Sequence, residues 1–295
     1  MIKGTTKILG VIGHPIAHSL SPAMHNAAIS HLGVDFVYLA FPVKPEDLEV
    51  ALAGFGAIDL RGFSITIPHK QAILPLLSEV SPIARAIGAV NTVYLTDKGW
   101  CGTNTDVEGF LAPLQTPVYQ AGGGSDWSQK VAVILGNGGA ARAVVAGCAQ
   151  LGCAEIHVVG RNEQNLAEFR QSWVNSPMPV PNLQVHTWDN LSMLISQADL
   201  LVNTTPVGMY PHGEKSPVAV GTIDRISAGA IVYDLIYNPS PTQFLKDAQL
   251  RGAQTIDGLE MLVQQGAAAL KIWLDKESVP VDVMRQALRQ HLGLD

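Results

Sequence analysis

Charge is scarce in this chain: Asp, Glu, Lys and Arg make up 15% of its 295 residues, and aromatic residues only 6%. So few charges beside a 47% apolar content exclude a disordered polyelectrolyte and describe a well-buried globular fold. Basic residues are outnumbered 19 to 25, for a formal net charge of -6, so the chain lacks the concentrated basic surface that general nucleic-acid binding requires. Any phosphate must be met locally. Cysteine is nearly absent. Cys101, Cys148 and Cys153 form neither a CxxC pair nor a His-containing metal spacing, which argues against a disulfide framework and against a zinc site, and suits free thiols in a reducing cytoplasm. No apolar run approaches the ~20 residues that span a bilayer. The opening MIKGTTKILGVIGHP is broken by glycine and proline and does not make a secretory leader, so a soluble cytoplasmic protein without a membrane partner is expected.

Glycine, by contrast, is plentiful, with 28 residues, and the length suits two domains with room for a small ligand. β-rich runs alternate with helical stretches: Lys7 to Ile12, a helix after Ser21-Pro22, Phe36 to Ala40, a helix after Pro45, then Gly62 to Ile67. That alternation predicts βαβ units and a largely parallel sheet in an N-terminal α/β domain. After a glycine-rich loop, Ala121 to Lys130, a second series runs through Val131 to Leu135, Glu155 to Gly160, Leu183 to His186, Leu200 to Asn203 and Ala230 to Leu235. It reads as a Rossmann-type doubly wound parallel sheet. Ser172 to Asn182, with three prolines, reads as a surface loop. Glu260 to Leu274 and Asp282 to Leu292 are helical patterns with no strand left to feed, and are expected to pack back on the first domain. The expected division is residues 1–107 for substrate binding and catalysis, 108–257 for the dinucleotide, and 258–295 for the returning helices.

The strand Val131 to Leu135 runs directly into Gly136-Asn137-Gly138-Gly139-Ala140-Ala141 and then a helix-compatible run, a GxGxxA motif in its proper context. The first glycine permits the tight turn, the second lets a pyrophosphate approach the backbone, and Ala141 keeps helix and strand close. Free N–H groups at the helix start then hold phosphates. Arg161, 25 positions after Gly136, stands where an acid would hold the ribose 2'-hydroxyl of NAD. An arginine there suits a 2'-phosphate, so NADP is the expected cofactor, with Asn162 beside it.

The segment Gly13-His14-Pro15-Ile16-Ala17-His18-Ser19-Leu20-Ser21-Pro22, continuing Ala23-Met24-His25-Asn26, closely resembles the opening motif of the shikimate dehydrogenase family. The resemblance continues through ITIPHK (Ile65 to Lys70), GAVNT (Gly88 to Thr92), GTNTD (Gly102 to Asp106), GNGGAAR, NTTPVGM (Asn203 to Met209) and DGLEMLVQQGA (Asp257 to Ala267). These blocks keep the family's order over nearly the whole chain. The resemblance implies reversible reduction of 3-dehydroshikimate to shikimate by NADPH, on the route to aromatic amino acids.

The same resemblance implies the site. Ser19 and Ser21 are expected to grip the substrate carboxylate with help from Tyr237. Locally, Ser21-Pro22 fits a helix N-cap equally well. Lys70 and Asp106 match the family's catalytic pair, since ketone reduction needs a proton donor for the developing alkoxide and the reverse reaction a base. As bare residues they would read equally as a structural ion pair. Ser64, Thr66, Asn91, Thr105 and Gln265 match substrate contacts suited to ring hydroxyls. Asn203, Thr204, Thr205, Leu235, Gly258 and Met261 are expected to line the nicotinamide side, although the threonines suit plain strand-end capping too.

Two departures stand out. Ser64 occupies a place where the family often has asparagine, and serine there resembles relatives that tolerate quinate. Asn165 replaces a second arginine of the phosphate clamp, leaving Arg161 alone. A dual quinate/shikimate enzyme using NAD or NADP is therefore the competing reading. An idle dinucleotide-binding regulator is disfavoured by retention of both Lys70 and Asp106, and a Schiff-base role for Lys70 by the dinucleotide turn. Monomer and homodimer are both open.

Overall fold

A computed structural model of the chain describes residues 2–116 and 126–294; residues 121–125 of the expected Ala121–Lys130 loop lie outside the described residues. Two compact units emerge, Met1–Thr105 with Val263–Asp295, and Asp106–Leu262.

The first unit holds strands β1 (Lys7–Gly13), β2 (Phe36–Pro42), β3 (Gly62–Ile65), β4 (Glu79–Val80), β5 (Thr92–Thr96) and β6 (Gly99–Thr103), in the order β2-β1-β3-β5-β6-β4. β1 pairs in parallel with β2 and β3, as the alternation predicts. β4 likewise pairs in parallel with β6, so the sheet is largely parallel as expected, and the departure is β5, antiparallel to both β3 and β6. Two residues, Asp97 and Lys98, join β5 to β6, and so short a connection permits only an antiparallel neighbour. Gly99, at φ +107°, supplies the backbone conformation that closes the hairpin. Asp-Lys is not a strong hairpin signal, which is why this turn leaves little trace in the sequence.

Beneath this sheet Phe55, Phe63 and Trp100 pack with Leu52 and Val93, the Phe63 and Trp100 rings meeting edge to face at 5.3 Å. The helices Leu259–Leu274 and Val281–Leu292 supply the rest, the latter packing on helix Ser21–Leu32. On the former, Trp273 donates from Nε1 to the Val93 carbonyl at 2.9 Å. Gly266 lets the helix approach closely, since a Cβ there would lie 2.3 Å from Met24 Cε.

The second unit carries β7 (Val131–Leu135), β8 (Glu155–Gly160), β9 (Leu183–Thr187), β10 (Leu200–Asn203), β11 (Ile231–Asp234) and β12 (Gln254–Ile256). Their order, β12-β11-β10-β7-β8-β9, is wholly parallel and reverses direction between β7 and β10. That is the doubly wound order of dinucleotide-binding sheets. Strand β12 is an addition to the sequence reading, too short to show a periodicity. The helix Glu163–Val174 runs into the start of the expected Ser172–Asn182 loop, because Phe169 and Trp173 anchor its last turn in the core. No helix among the described residues is long and apolar enough to cross a membrane.

Helix Asp106–Leu114 lies against helix Gly139–Leu151, where a Cβ on Gly147 would fall 2.5 Å from the Phe110 ring. Phe110 is fully buried and stacked on Tyr233 at 5.4 Å, so it has little room to yield. Alanine is worth up to ~1 kcal/mol over glycine inside a helix, but overpacking of this kind costs about 1–3 kcal/mol. Gly147→Ala is therefore expected to lower the thermal midpoint; an unchanged or higher midpoint in a melting experiment would show that the Phe110 contact yields.

Candidate active site

At the point where strand order reverses, the C-terminal ends of β7 and β10 open the crevice in which such sheets bind ligands. The GxGxxA turn follows β7. Gly136 sits at φ +102°, a conformation open to glycine, and a Cβ on it would meet the Thr204 hydroxyl at 2.8 Å. Gly138 is exposed and extended, and a Cβ added there would meet nothing within 4 Å. Open space thus lies over the backbone at the N-terminus of helix Gly139–Leu151, whose free N–H groups suit a pyrophosphate. Asn137 and Ala140 flank it half-buried, and Ala141 is fully buried against the sheet. These residues fit a dinucleotide.

The opposite wall rests on a buried carboxyl. Asp234, at the end of β11, accepts from Asn203 Nδ2 at 2.9 Å, from the Thr242 hydroxyl at 2.7 Å and from the Ile236 N–H at 3.1 Å. Asn203 in turn accepts from the N–H and hydroxyl of Thr205 at 3.0 and 2.7 Å, while Thr204 donates to the Leu135 carbonyl at 2.6 Å. Both threonine hydroxyls thus donate to groups at the strand ends. Leu235 follows directly, its N–H donating to the Asn203 carbonyl at 3.1 Å. Gly258 packs onto it so closely that a Cβ would lie 2.1 Å from the Leu235 carbonyl, and Met261 is buried one turn on. At the end of β8, Arg161 and Asn162 are exposed. Asn162 caps helix Glu163–Val174 by accepting the Asn165 N–H at 2.8 Å.

In the first unit the polar side chains gather around Asn91, which is 2% exposed. Its Nδ2 donates to Thr105 Oγ1 at 3.0 Å and to Gln265 Oε1 at 3.4 Å, and its Oδ1 accepts from Thr92 Oγ1 at 2.9 Å and from the Thr105 N–H at 2.8 Å. Its carbonyl accepts the Ile65 N–H at 2.7 Å, and the neighbouring Val90 N–H donates to the Lys70 carbonyl at 2.8 Å. One loop therefore holds Thr105, Gln265 and the Lys70 turn together. Lys70, half-buried on the short helix His69–Ala72, and Thr66, whose N–H donates to the Ile12 carbonyl at 3.0 Å, follow β3.

Ser21 opens helix Ser21–Leu32 but does not cap it: Leu20 occupies the cap position, and Ser19 Oγ accepts the Ser21 N–H at 3.3 Å. The local reading of Ser21 as a capping hydroxyl is therefore set aside. Ser64, buried in β3, has its hydroxyl against the Tyr38 phenol at 2.9 Å. Asp106, 5% exposed, starts the first helix of the second unit, to which Tyr237 also belongs. The sequence reading missed two polar groups, Tyr38 and Asp234. Asp234 left a trace as an acid inside the apolar run Ala230 to Ile236, whereas Tyr38 looks like any strand aromatic.

Burial raises the Asp234 carboxyl from its ordinary 3.8 to about 6, against the pull of its three donors. The folded state holds this proton more tightly than the unfolded chain. Its contribution to stability is therefore complete below about pH 4 and is lost as pH rises through about 6. Melting curves of wild type and Asp234→Asn across this window should converge in slope above it and differ within it; parallel slopes throughout would show that Asp234 does not titrate there.

Comparison with known proteins agrees with this geometry. Residues 11–93 match the shikimate dehydrogenase substrate binding domain, and residues 258–289 the shikimate 5'-dehydrogenase C-terminal domain. The chain is 66% identical over 294 residues, 100% of both chains, to the shikimate dehydrogenase (NADP(+)) of Trichormus variabilis. Among solved structures, a shikimate dehydrogenase in complex with NADP+ superimposes with TM-score 0.86 at 36% identity, covering 99% of this chain and 98% of the other. The shikimate 5-dehydrogenase of Thermus thermophilus in complex with NADP(H) and shikimate gives 0.81 at 34% identity, covering 97% and 99%. With full-length identity of this order and the motifs in matching positions, the chain belongs to the shikimate dehydrogenase family.

Proposed function

We propose that this protein catalyses the reversible, NADP-linked interconversion of shikimate and 3-dehydroshikimate, with Met1–Thr105 and the C-terminal helices binding substrate and Asp106–Leu262 binding the dinucleotide. The observation that carries the reading is the GxGxxA turn at the reversal point of a wholly parallel sheet, in a chain 66% identical throughout to an NADP-dependent shikimate dehydrogenase.

The dinucleotide would rest its pyrophosphate on Gly136 to Ala141 and its 2'-phosphate against Arg161, beside Asn162. Asn203, Thr204, Thr205, Leu235, Gly258 and Met261 would form the wall on the nicotinamide side. When bound, the nicotinamide supplies or accepts the hydride. The remaining chemistry belongs to the protein. In shikimate oxidation Lys70 takes the proton of the reacting hydroxyl, with Asp106 orienting it, and in the reverse direction returns it to the alkoxide oxygen. Ser19 and Ser21, with Tyr237, would hold the carboxylate, while Ser64, Thr66, Asn91, Thr105 and Gln265 would pair the ring hydroxyls. The Asn91 network supports this assignment, because hydroxyls removed from water need partners already in place. The three buried free cysteines accord with a cytoplasmic location, and a monomer or homodimer suffices for this chemistry.

Following reduced nicotinamide by absorbance with shikimate or quinate, and NADP+ or NAD+, tests the reading. Fast turnover with shikimate and NADP+ alone is expected; comparable quinate or NAD+ turnover would move the protein to the dual-specificity class, and silence in all four would overturn the assignment. Lys70→Ala should lower kcat at least about a hundredfold with little change in KM. Arg161→Ala should raise KM for NADP+ far more than for NAD+, and equal effects on the two would remove Arg161 from the 2'-phosphate.

A further inference from the structure

Tyr38 lies on β2, outside every motif that carries the family resemblance, yet its phenol reaches Ser64. Its oxygen is 2.9 Å from Ser64 Oγ. The residue is fully buried and held from several sides. Asn26 clamps its backbone, donating to the Tyr38 carbonyl at 2.8 Å and accepting the Tyr38 N–H at 2.9 Å. Its ring stacks on His25 at 4.2 Å and 15°, and meets Trp273 at 5.8 Å.

The His25 ring adds no competing partner. Both its nitrogens are buried without one, and burial pushes the imidazole down to about 3, so it packs as a neutral plate. Burial also raises the Tyr38 phenol, which keeps its proton throughout the neutral range.

A phenol is a better donor and a poorer acceptor than an aliphatic hydroxyl, so the shared hydrogen of the Tyr38–Ser64 pair belongs to Tyr38. Ser64 Oγ then accepts, and among the described residues Tyr38 is the one partner of that hydroxyl. A serine hydroxyl rotates freely and is otherwise donor and acceptor alike.

We propose that Tyr38 is a positioning residue that fixes Ser64 as a hydrogen-bond donor, aiming its O–H at an oxygen of the bound hydroxy acid. The inference rests on the functional reading above, which places Ser64 against the substrate. Tyr38 itself does not touch the substrate. Its role is to remove the rotational ambiguity of the group that does, and so to favour an acceptor oxygen over a donor at that point of the ring.

A double-mutant cycle tests this. With purified Tyr38→Phe, Ser64→Ala and the double variant, kcat and KM are measured for shikimate and for NADP+, with a thermal melt of each. Tyr38→Phe keeps the stacked ring and removes only the oxygen. It is expected to raise KM for shikimate about tenfold, the worth of one hydrogen bond, while KM for NADP+ stays unchanged. Ser64→Ala should do the same, and adding Tyr38→Phe to it should cost nothing further. A KM unaltered by Tyr38→Phe would overturn the proposal, as would a Tyr38→Phe penalty that persists undiminished in the Ser64→Ala background, which would mark a packing role. Wild-type protein inert toward shikimate would instead overturn the functional reading itself, and this inference with it.

Discussion

The first unit depends on one buried amide. Asn91 offers a carbonyl oxygen and two N–H groups to Thr92, Thr105 and Gln265, and its backbone receives β3 through Ile65. These partners come from a strand end, a loop and a helix far apart in sequence, so a single side chain fixes the positions of groups that the chain alone could not align. An aspartate in its place would have no donors for Thr105 Oγ1 and Gln265, and an alanine would take the acceptor from the buried Thr105 N–H, a loss of roughly 1–3 kcal/mol, while the Thr92 and Thr105 hydroxyls would still face each other at 3.2 Å. The second unit repeats the device with Asp234, Asn203 and Thr205. In both, the polar network lies at the C-terminal edge of the sheet, and the apolar packing behind it supplies the rigidity.

Those networks also separate two tasks. The backbone at Gly138 borders open space, while the hydroxyls of Thr204 and Thr205 are occupied internally. A ligand bound there would meet a surface already set in shape, with little ordering left to be done.

What was legible in the sequence follows from what leaves a local trace. The turn after β7 was readable because a left-handed Gly136 and a crowded Ala141 admit few residues. The parallel strands of the second unit were readable as short apolar runs at βα spacing. The β5–β6 hairpin was not, since Asp97-Lys98 carries no strong turn signature and only Gly99 marks it. Ser21 could be read as a cap or a binding group until the structure placed Leu20 at the cap. Tyr38 was invisible in principle: its ring obeys the rule for a buried strand residue, and only the fold reveals that its hydroxyl ends beside Ser64.

Arg161 and Asn162, adjacent in sequence, face very different constraints. Arg161 is exposed, while the side chain of Asn162 closes the first turn of a helix whose far end is anchored by Trp173. Mutational drift at 161 leaves the architecture intact, whereas at 162 it must preserve a short oxygen acceptor or unravel the helix start. If Arg161 meets the 2'-phosphate as proposed, lineages of this protein would be free to retune their preference between phosphorylated and unphosphorylated cofactors through one residue, with the turn after β7 inherited unchanged.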